Sequence, residues 1–211
     1  MYITTKAMTA EEQSKLMPSD VINELVRGNS DFINNVLSLK YNTERLRTTC
    51  KGQFPKAVVL ACLDSRVLVE DIFQCSIGDI FVIRIAGNIV NPDILGSMEF
   101  ACKIAGAKLV VVLGHTRCGA IMAAIDDFKF ENLTGLLNRI QPAVALSKTN
   151  FDGETTSSNL SFVENVCRNN VEISVNEIRK SSPSLKQMEE NGYIKIIGAI
   201  YNIETGKVDF F

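Results

Sequence analysis

The chain has 211 residues, 46% hydrophobic and 22% charged, and its 22 Lys+Arg against 24 Asp+Glu leave a formal net charge of −2. That is the composition of a globular protein with enough chain for a sizeable core, and it excludes a disordered or collagenous chain. A near-neutral chain lacks the broad basic field that phosphate backbones select, and no apolar run approaches the roughly 18 residues of a membrane span, so neither nucleic acid nor membrane is an expected partner.

In chain order, Met1 to Lys6 has no apolar stretch after its one lysine. This predicts an unexported, cytoplasmic chain whose six cysteines stay as free thiols, available for packing or for metal. Residues 1–50 read as a helical arm. Thr9, with Glu12 three residues on, has the pattern of a capping box, and Gly28 is expected to end or break that segment. A second stripe through Phe32, Ile33, Val36, Leu37 and Tyr41 has helical spacing. With little core of its own, the arm is expected to pack on later chain or on a partner subunit.

From residue 56 the pattern changes to short runs rich in β-branched residues. Ala57 to Cys62, Ile80 to Ile85 and Lys108 to Leu113 read as buried strands, with a helix from Ile94 to Gly106 between the last two. Residues 120–149 and 159–180 read as helices separated by the polar loop Gly153 to Ser158. Tyr193 to Tyr201 and Val208 to Phe211 close the chain as a strand pair around the turn at Asn202 to Gly206. The expected fold class is α/β, a mainly parallel central sheet flanked by helices. No internal repeat or linker divides the chain, so a single domain over 1–211 is expected, the arm at 1–50 leading into an α/β core at 51–211.

The chemistry falls at the C-terminal ends of the first and third of these strands, where open α/β sheets place their ligand crevices. One ends in Cys62-Leu63-Asp64-Ser65-Arg66 and the other in Gly114-His115-Thr116-Arg117-Cys118-Gly119. His115 is the only histidine in the chain. If the two strands are neighbours, Cys62, His115 and Cys118 converge. Two thiolates and an imidazole suit zinc, and three protein ligands leave the fourth position of a tetrahedral ion open, as catalytic sites do. Taken singly, each residue has a plainer role: a histidine is most often hydrogen-bonded structure, a strand-end cysteine is packing, and Asp64 with Arg66 is a surface ion pair. For Cys50, Cys75, Cys102 and Cys167 packing is the expected role. The case for a site rests on the only histidine, two cysteines and an Asp-x-Arg pair all falling at one sheet edge.

Cys62-x-Asp64-Ser65-Arg66 followed by Gly114-His115-x-x-Cys118-Gly119 resembles the β-class carbonic anhydrases. Gly78 to Asn88, Gly96 to Ala101, Gly198 to Tyr201 and Thr205 to Val208 resemble further segments of that family, so the resemblance covers most of the chain. It implies zinc-dependent, reversible hydration of carbon dioxide to bicarbonate and a proton, with zinc-bound hydroxide as nucleophile. The implied metal ligands are Cys62, His115 and Cys118, for one zinc ion per subunit, and the implied catalytic pair is Asp64 and Arg66. A substrate pocket formed between protomers is matched by Gln53, Phe81, Ala86, Phe100 and Gly119, and a homodimer or dimer of dimers with helices wrapping the neighbour is implied. Departures from the family pattern are Leu63 where Ser is frequent, Ile85 where Asn is frequent, Phe100 where many members have Tyr, and Arg117 between two ligands. Held by Arg66, Asp64 orients the nucleophile; released, it closes the site as a fourth ligand in part of the family.

With His115 given to zinc, no second imidazole is present to carry the proton away, so water, buffer or other groups must do so. Other readings are a carbon disulfide or carbonyl sulfide hydrolase on the same scaffold, and a non-catalytic zinc-binding protein. A redox protein is disfavoured by the lack of a C-x-x-C pair.

Overall fold

In the computed structural model, which describes residues 2–4, 6–36, 38–40 and 42–211, the strands assemble into two sheets. The smaller pairs Tyr2–Thr4 (β1) in parallel with Ser38–Lys40 (β2). The larger has five strands in the order β4-β3-β5-β6-β7, formed by Ala57–Ala61 (β3), Ile80–Arg84 (β4), Leu109–His115 (β5), Lys195–Tyr201 (β6) and Val208–Phe210 (β7). Every pairing in it is parallel except β6 with β7, the expected closing pair.

The β-branched composition of β3 and β5 matches their position. Both are buried along their whole length. Successive side chains leave a strand on opposite faces, so each strand feeds two cores. Ala57, Val59 and Ala61 join Val111 and Leu113 on one face, under Val21, Leu25, Ile72 and Phe73. Val58 and Leu60 join Val110 and Val112 on the other, under Met98, Cys102, Val175, Ile178 and Leu185. A third cluster, including Cys62, Cys118, Ile121, Ile140, Phe162 and Cys167, packs where β3 and β5 end.

The helices are Ala10–Lys15 (α1), Pro18–Ile33 (α2), Asn42–Thr49 (α3), Val69–Ile72 (α4), Pro92–Glu99 (α5), Gly119–Ile125 (α6), Glu131–Leu137 (α7), Gln141–Asn150 (α8), Leu160–Ser181 (α9) and Pro183–Glu190 (α10). The capping box at Thr9 and Glu12 is formed. Buried Gln13 ties α1 to the core by donating from Nε2 to the carbonyls of Pro55 at 2.7 Å and Ala105 at 2.8 Å. Buried Arg45 ties α3 to it, pairing with Asp79 and donating to the carbonyls of Lys6 and Ile77.

Several expectations are corrected. Gly28 does not break its helix; it sits inside α2, where a Cβ would lie 2.0 Å from the Phe73 carbonyl oxygen, so glycine is what lets α2 approach so closely. The helix does not continue along the stripe: α2 stops at Ile33, Asn35 turns the chain with φ +52°, and Ser38–Lys40 is a strand. Leu37 and Tyr41 of that stripe lie outside the described residues. The inner face of α2, with Val21 and Leu25, packs on the chain's own sheet. The stretch 120–149 is three helices, the first break lying between α6 and α7, where Asp127 and Glu131 take positive φ, and the second at residues 138–140. A further helix, α10, follows α9 and begins at Pro183. Finally, Cys50 is exposed, whereas Cys75, Cys102 and Cys167 are buried as expected.

Candidate metal centre

β3 and β5 are adjacent and parallel, with Ala61 opposite Leu113, so the residues that follow them emerge at one edge. Cys62 comes directly after β3, His115 ends β5, and Cys118 caps the N-terminus of α6. All three are buried, and their ligand atoms lie within 4.8 Å of one another. The two Sγ atoms are 3.9 Å apart.

The imidazole is oriented by its neighbour. His115 Nδ1 lies 2.9 Å from the Thr116 carbonyl oxygen, an acceptor, which places the ring proton on Nδ1 and leaves the Nε2 lone pair facing the two sulfurs. Nε2 is fully buried and has no hydrogen-bond partner among the described residues. A buried nitrogen without a partner is costly unless something else binds it, and a cation between one imidazole and two thiolates is what this donor set suits. The residues therefore fit a zinc ion. Around them, the Thr116 hydroxyl accepts from the Ile203 N–H at 3.1 Å, and the Cys167 thiol donates to the His115 carbonyl at 3.2 Å. The Gly87 N–H donates to Cys62 Sγ at 3.4 Å from a turn with φ +66° at Gly87, where a Cβ would meet Ile140 Cδ1 at 2.6 Å.

The two thiols are shifted in opposite directions. Hydrogen bonding with Cys118, reinforced by His115, Asp64 and Gly87, brings the Cys62 thiol down. The same contact and burial push the Cys118 thiol up.

Beside the thiols, Arg66 grips Asp64 with two parallel bonds, Nε to Oδ1 at 2.9 Å and Nη2 to Oδ2 at 2.7 Å, and the Arg66 N–H adds a third to Oδ1 at 3.0 Å. The Arg66 guanidinium holds the Asp64 carboxyl down at about 2. Asp64 Oδ2 is 3.9 Å from His115 Nε2, so the carboxylate faces the space where the three ligands converge. Arg66 Nη2 also donates to the Arg117 carbonyl at 3.3 Å, joining the two loops. Arg117 adopts φ +55°, and its side chain pairs with Glu204 on the β6–β7 turn.

Of the five pocket residues expected from the sequence, two lie at this edge: Ala86 begins the turn that carries Gly87, and Gly119 opens α6. The other three do not. Phe81 is opposite Val58, four residues before Cys62 and therefore roughly 13 Å down the strand. Phe100 stacks edge-on against Phe81 with ring centroids 6.4 Å apart, and Gln53 precedes β3 altogether. One residue of the site went unassigned in the sequence. Arg84 ends β4 and reaches over the end of β3, Nε donating to the Cys62 carbonyl at 3.1 Å and Nη2 to the Asp64 carbonyl at 2.5 Å. Its signal was legible, since Arg84 is the only charge in the run Ile80 to Ile85.

Comparison with known proteins agrees with this geometry. The carbonic anhydrase family model matches residues 57–208. The chain is 34% identical over 161 residues to carbonic anhydrase 2 of Mycobacterium tuberculosis, covering 74% of each chain. It is 31% identical over 188 residues to the carbonic anhydrase of Mycolicibacterium smegmatis, covering 86% of this chain and 87% of the relative. A tetrameric β-carbonic anhydrase of Sordaria macrospora shares the fold with a TM-score of 0.69 at 20% identity, over 92% of this chain and 94% of that one.

Proposed function

Because the chain belongs to the β-class carbonic anhydrases, we propose that it hydrates carbon dioxide reversibly to bicarbonate and a proton at a zinc ion held by Cys62, His115 and Cys118. The observation that carries the zinc assignment is His115 Nε2, buried, without a hydrogen-bond partner among the described residues, and facing two sulfurs. When bound, zinc supplies Lewis acidity that lowers the pKa of water from about 15.7 towards roughly 7, somewhat less far with two anionic thiolates among its ligands.

The chain's own residues supply the rest. Cys62 and Cys118 bring negative charge, and His115, fixed by Thr116, brings a neutral nitrogen. Asp64, kept ionised by Arg66, is an acceptor only. Its Oδ2 takes a hydrogen bond from the nucleophile's O–H and turns a lone pair of that oxygen towards the substrate carbon. No imidazole other than His115 exists to carry the released proton, so it leaves through water and buffer. The net charge of −2 suits an uncharged substrate that needs no electrostatic steering.

The pocket belongs to two copies in this reading. Phe81, Phe100 and Gln53 lie too far from Cys62 within one chain to enclose its substrate, which supports a homodimer or dimer of dimers in which a partner supplies them. The tetrameric Sordaria relative supports the same assembly. A cytoplasmic location is part of the proposal, and no helix among the described residues is long and apolar enough to cross a membrane.

The test is stopped-flow carbon dioxide hydration by zinc-loaded protein from about pH 6.5 to 9 at several buffer concentrations, with carbon disulfide and carbonyl sulfide as control substrates. Activity should rise with pH and with buffer. Cys62→Ala should lose zinc, and Asp64→Ala should keep zinc while losing activity. Wild-type protein that binds zinc and leaves carbon dioxide unreacted would refute the enzyme reading.

A further inference from the structure

The loop at Leu63 to Arg66 carries the dyad directly after a metal ligand, yet its own side chains do little to anchor it. Leu63 is 59% exposed and packs in none of the three cores. The bonds between Asp64 and Arg66 are internal to the loop, so that pair moves as one body and cannot fix its own distance from the sheet. Among the described hydrogen bonds, two tie residues 63–66 to more distant parts of the chain. One is the long contact from Arg66 Nη2 to the Arg117 carbonyl at 3.3 Å. The other is Arg84 Nη2 to the Asp64 carbonyl at 2.5 Å, made by the same guanidinium whose Nε holds the Cys62 carbonyl at 3.1 Å.

Arg84 therefore grips the loop at both ends of Leu63, and it does so from the end of β4, whose register with β3 places Arg84 opposite Ala61. The Asp64 carbonyl also accepts the Val67 N–H at 3.0 Å, so the fork meets a peptide already set in a turn. A planar guanidinium can serve two carbonyls at fixed separation; an ammonium on a flexible stem cannot hold both in one geometry.

We propose that Arg84 is a positioning residue of the carbonic anhydrase reaction: it locks the peptide between Cys62 and Asp64 to the sheet, and so sets the Asp64 carboxylate relative to the metal ligands. The inference rests on the function proposed above for Asp64 and the metal ligands, and it concerns how they are held.

The test is a double-mutant cycle with zinc affinity as a second readout. Arg84→Ala should lower kcat for carbon dioxide hydration about tenfold or more with KM within about twofold, and should weaken zinc binding, by competition with a chromophoric chelator, by about tenfold. Arg84→Lys, which reaches one carbonyl at a time, should fall between. In an Asp64→Ala background, Arg84→Ala should cost little further activity, because the route through Asp64 is already gone. A folded Arg84→Ala with wild-type kcat and zinc affinity overturns the proposal, as does an undiminished loss in the Asp64→Ala background. If Arg84→Ala fails to fold, Arg84→Lys decides: wild-type kcat and zinc affinity in that variant would overturn the proposal equally. Absence of hydration by the wild-type protein would instead refute the enzyme reading, and the zinc comparison between wild type and Arg84 variants would still test the clamp.

Discussion

Asp64 shows how one contact sets a residue's chemistry. Arg66 holds its carboxyl at about 2, below the ordinary 3.8. A group whose folded pKa is depressed contributes stability above its unfolded pKa, and the contribution is lost as pH falls from about 4 towards 2. Asp64 therefore stays ionised well above about pH 4, so in the proposed reaction any fall in activity between about pH 8 and 6 would belong to water at the bound metal rather than to this carboxylate. Arg66 is half exposed, so the pair contributes little to stability. Asp64→Asn should lower kcat by about 10²-fold or more while changing unfolding free energy by less than about 1 kcal/mol, read by hydration kinetics beside urea denaturation.

Elements reveal themselves in sequence where the determining forces are local. The capping box at Thr9 and the buried runs of β3 and β5 appeared where expected, because capping and two-sided burial leave their pattern within a few residues. Gly28 and the stretch 120–149 did not. Gly28 is read locally as a helix breaker, but its role comes from Phe73, 45 positions on (73 − 28), whose carbonyl occupies the space of a Cβ. Gly28→Ala should thus destabilise the fold by about 1–3 kcal/mol despite alanine's better helix propensity, with thermal unfolding as the measure. An unchanged or raised Tm would show that α2 can shift outward freely. In the stretch 120–149 the apolar period continues across the breaks at 126–130 and 138–140, and the first of these turns depends on Asp127 and Glu131 adopting positive φ.

For the whole molecule, the decisive arrangement is that the Cys62, His115 and Cys118 cluster and the Phe81–Phe100 pair sit towards opposite ends of the sheet. In the proposed reading, zinc ligation would need one chain, whereas a pocket including Phe81, Phe100 and Gln53 would need two. Light scattering across a dilution series, paired with hydration assays, should therefore show activity falling as the oligomer dissociates, while zinc stays bound at one ion per chain. A fully active monomer would remove the shared pocket.

The candidate donor set is readable from the chain alone, since a single histidine, its three-residue spacing to Cys118 and the soft sulfur donors are properties of composition and short-range order. So is the mainly parallel sheet that carries them, because burial on both faces imposes its pattern on each strand separately. Packing across the whole chain is what sets β3 beside β5, bringing Cys62 to a partner 53 positions away (115 − 62), what lets Arg84 reach over from β4 to the loop, and what leaves Gln53, Phe81 and Phe100 apart from the Cys62, His115 and Cys118 cluster. Strand order is set by which packing buries the most apolar surface over the whole chain, and that balance is not written in any one segment.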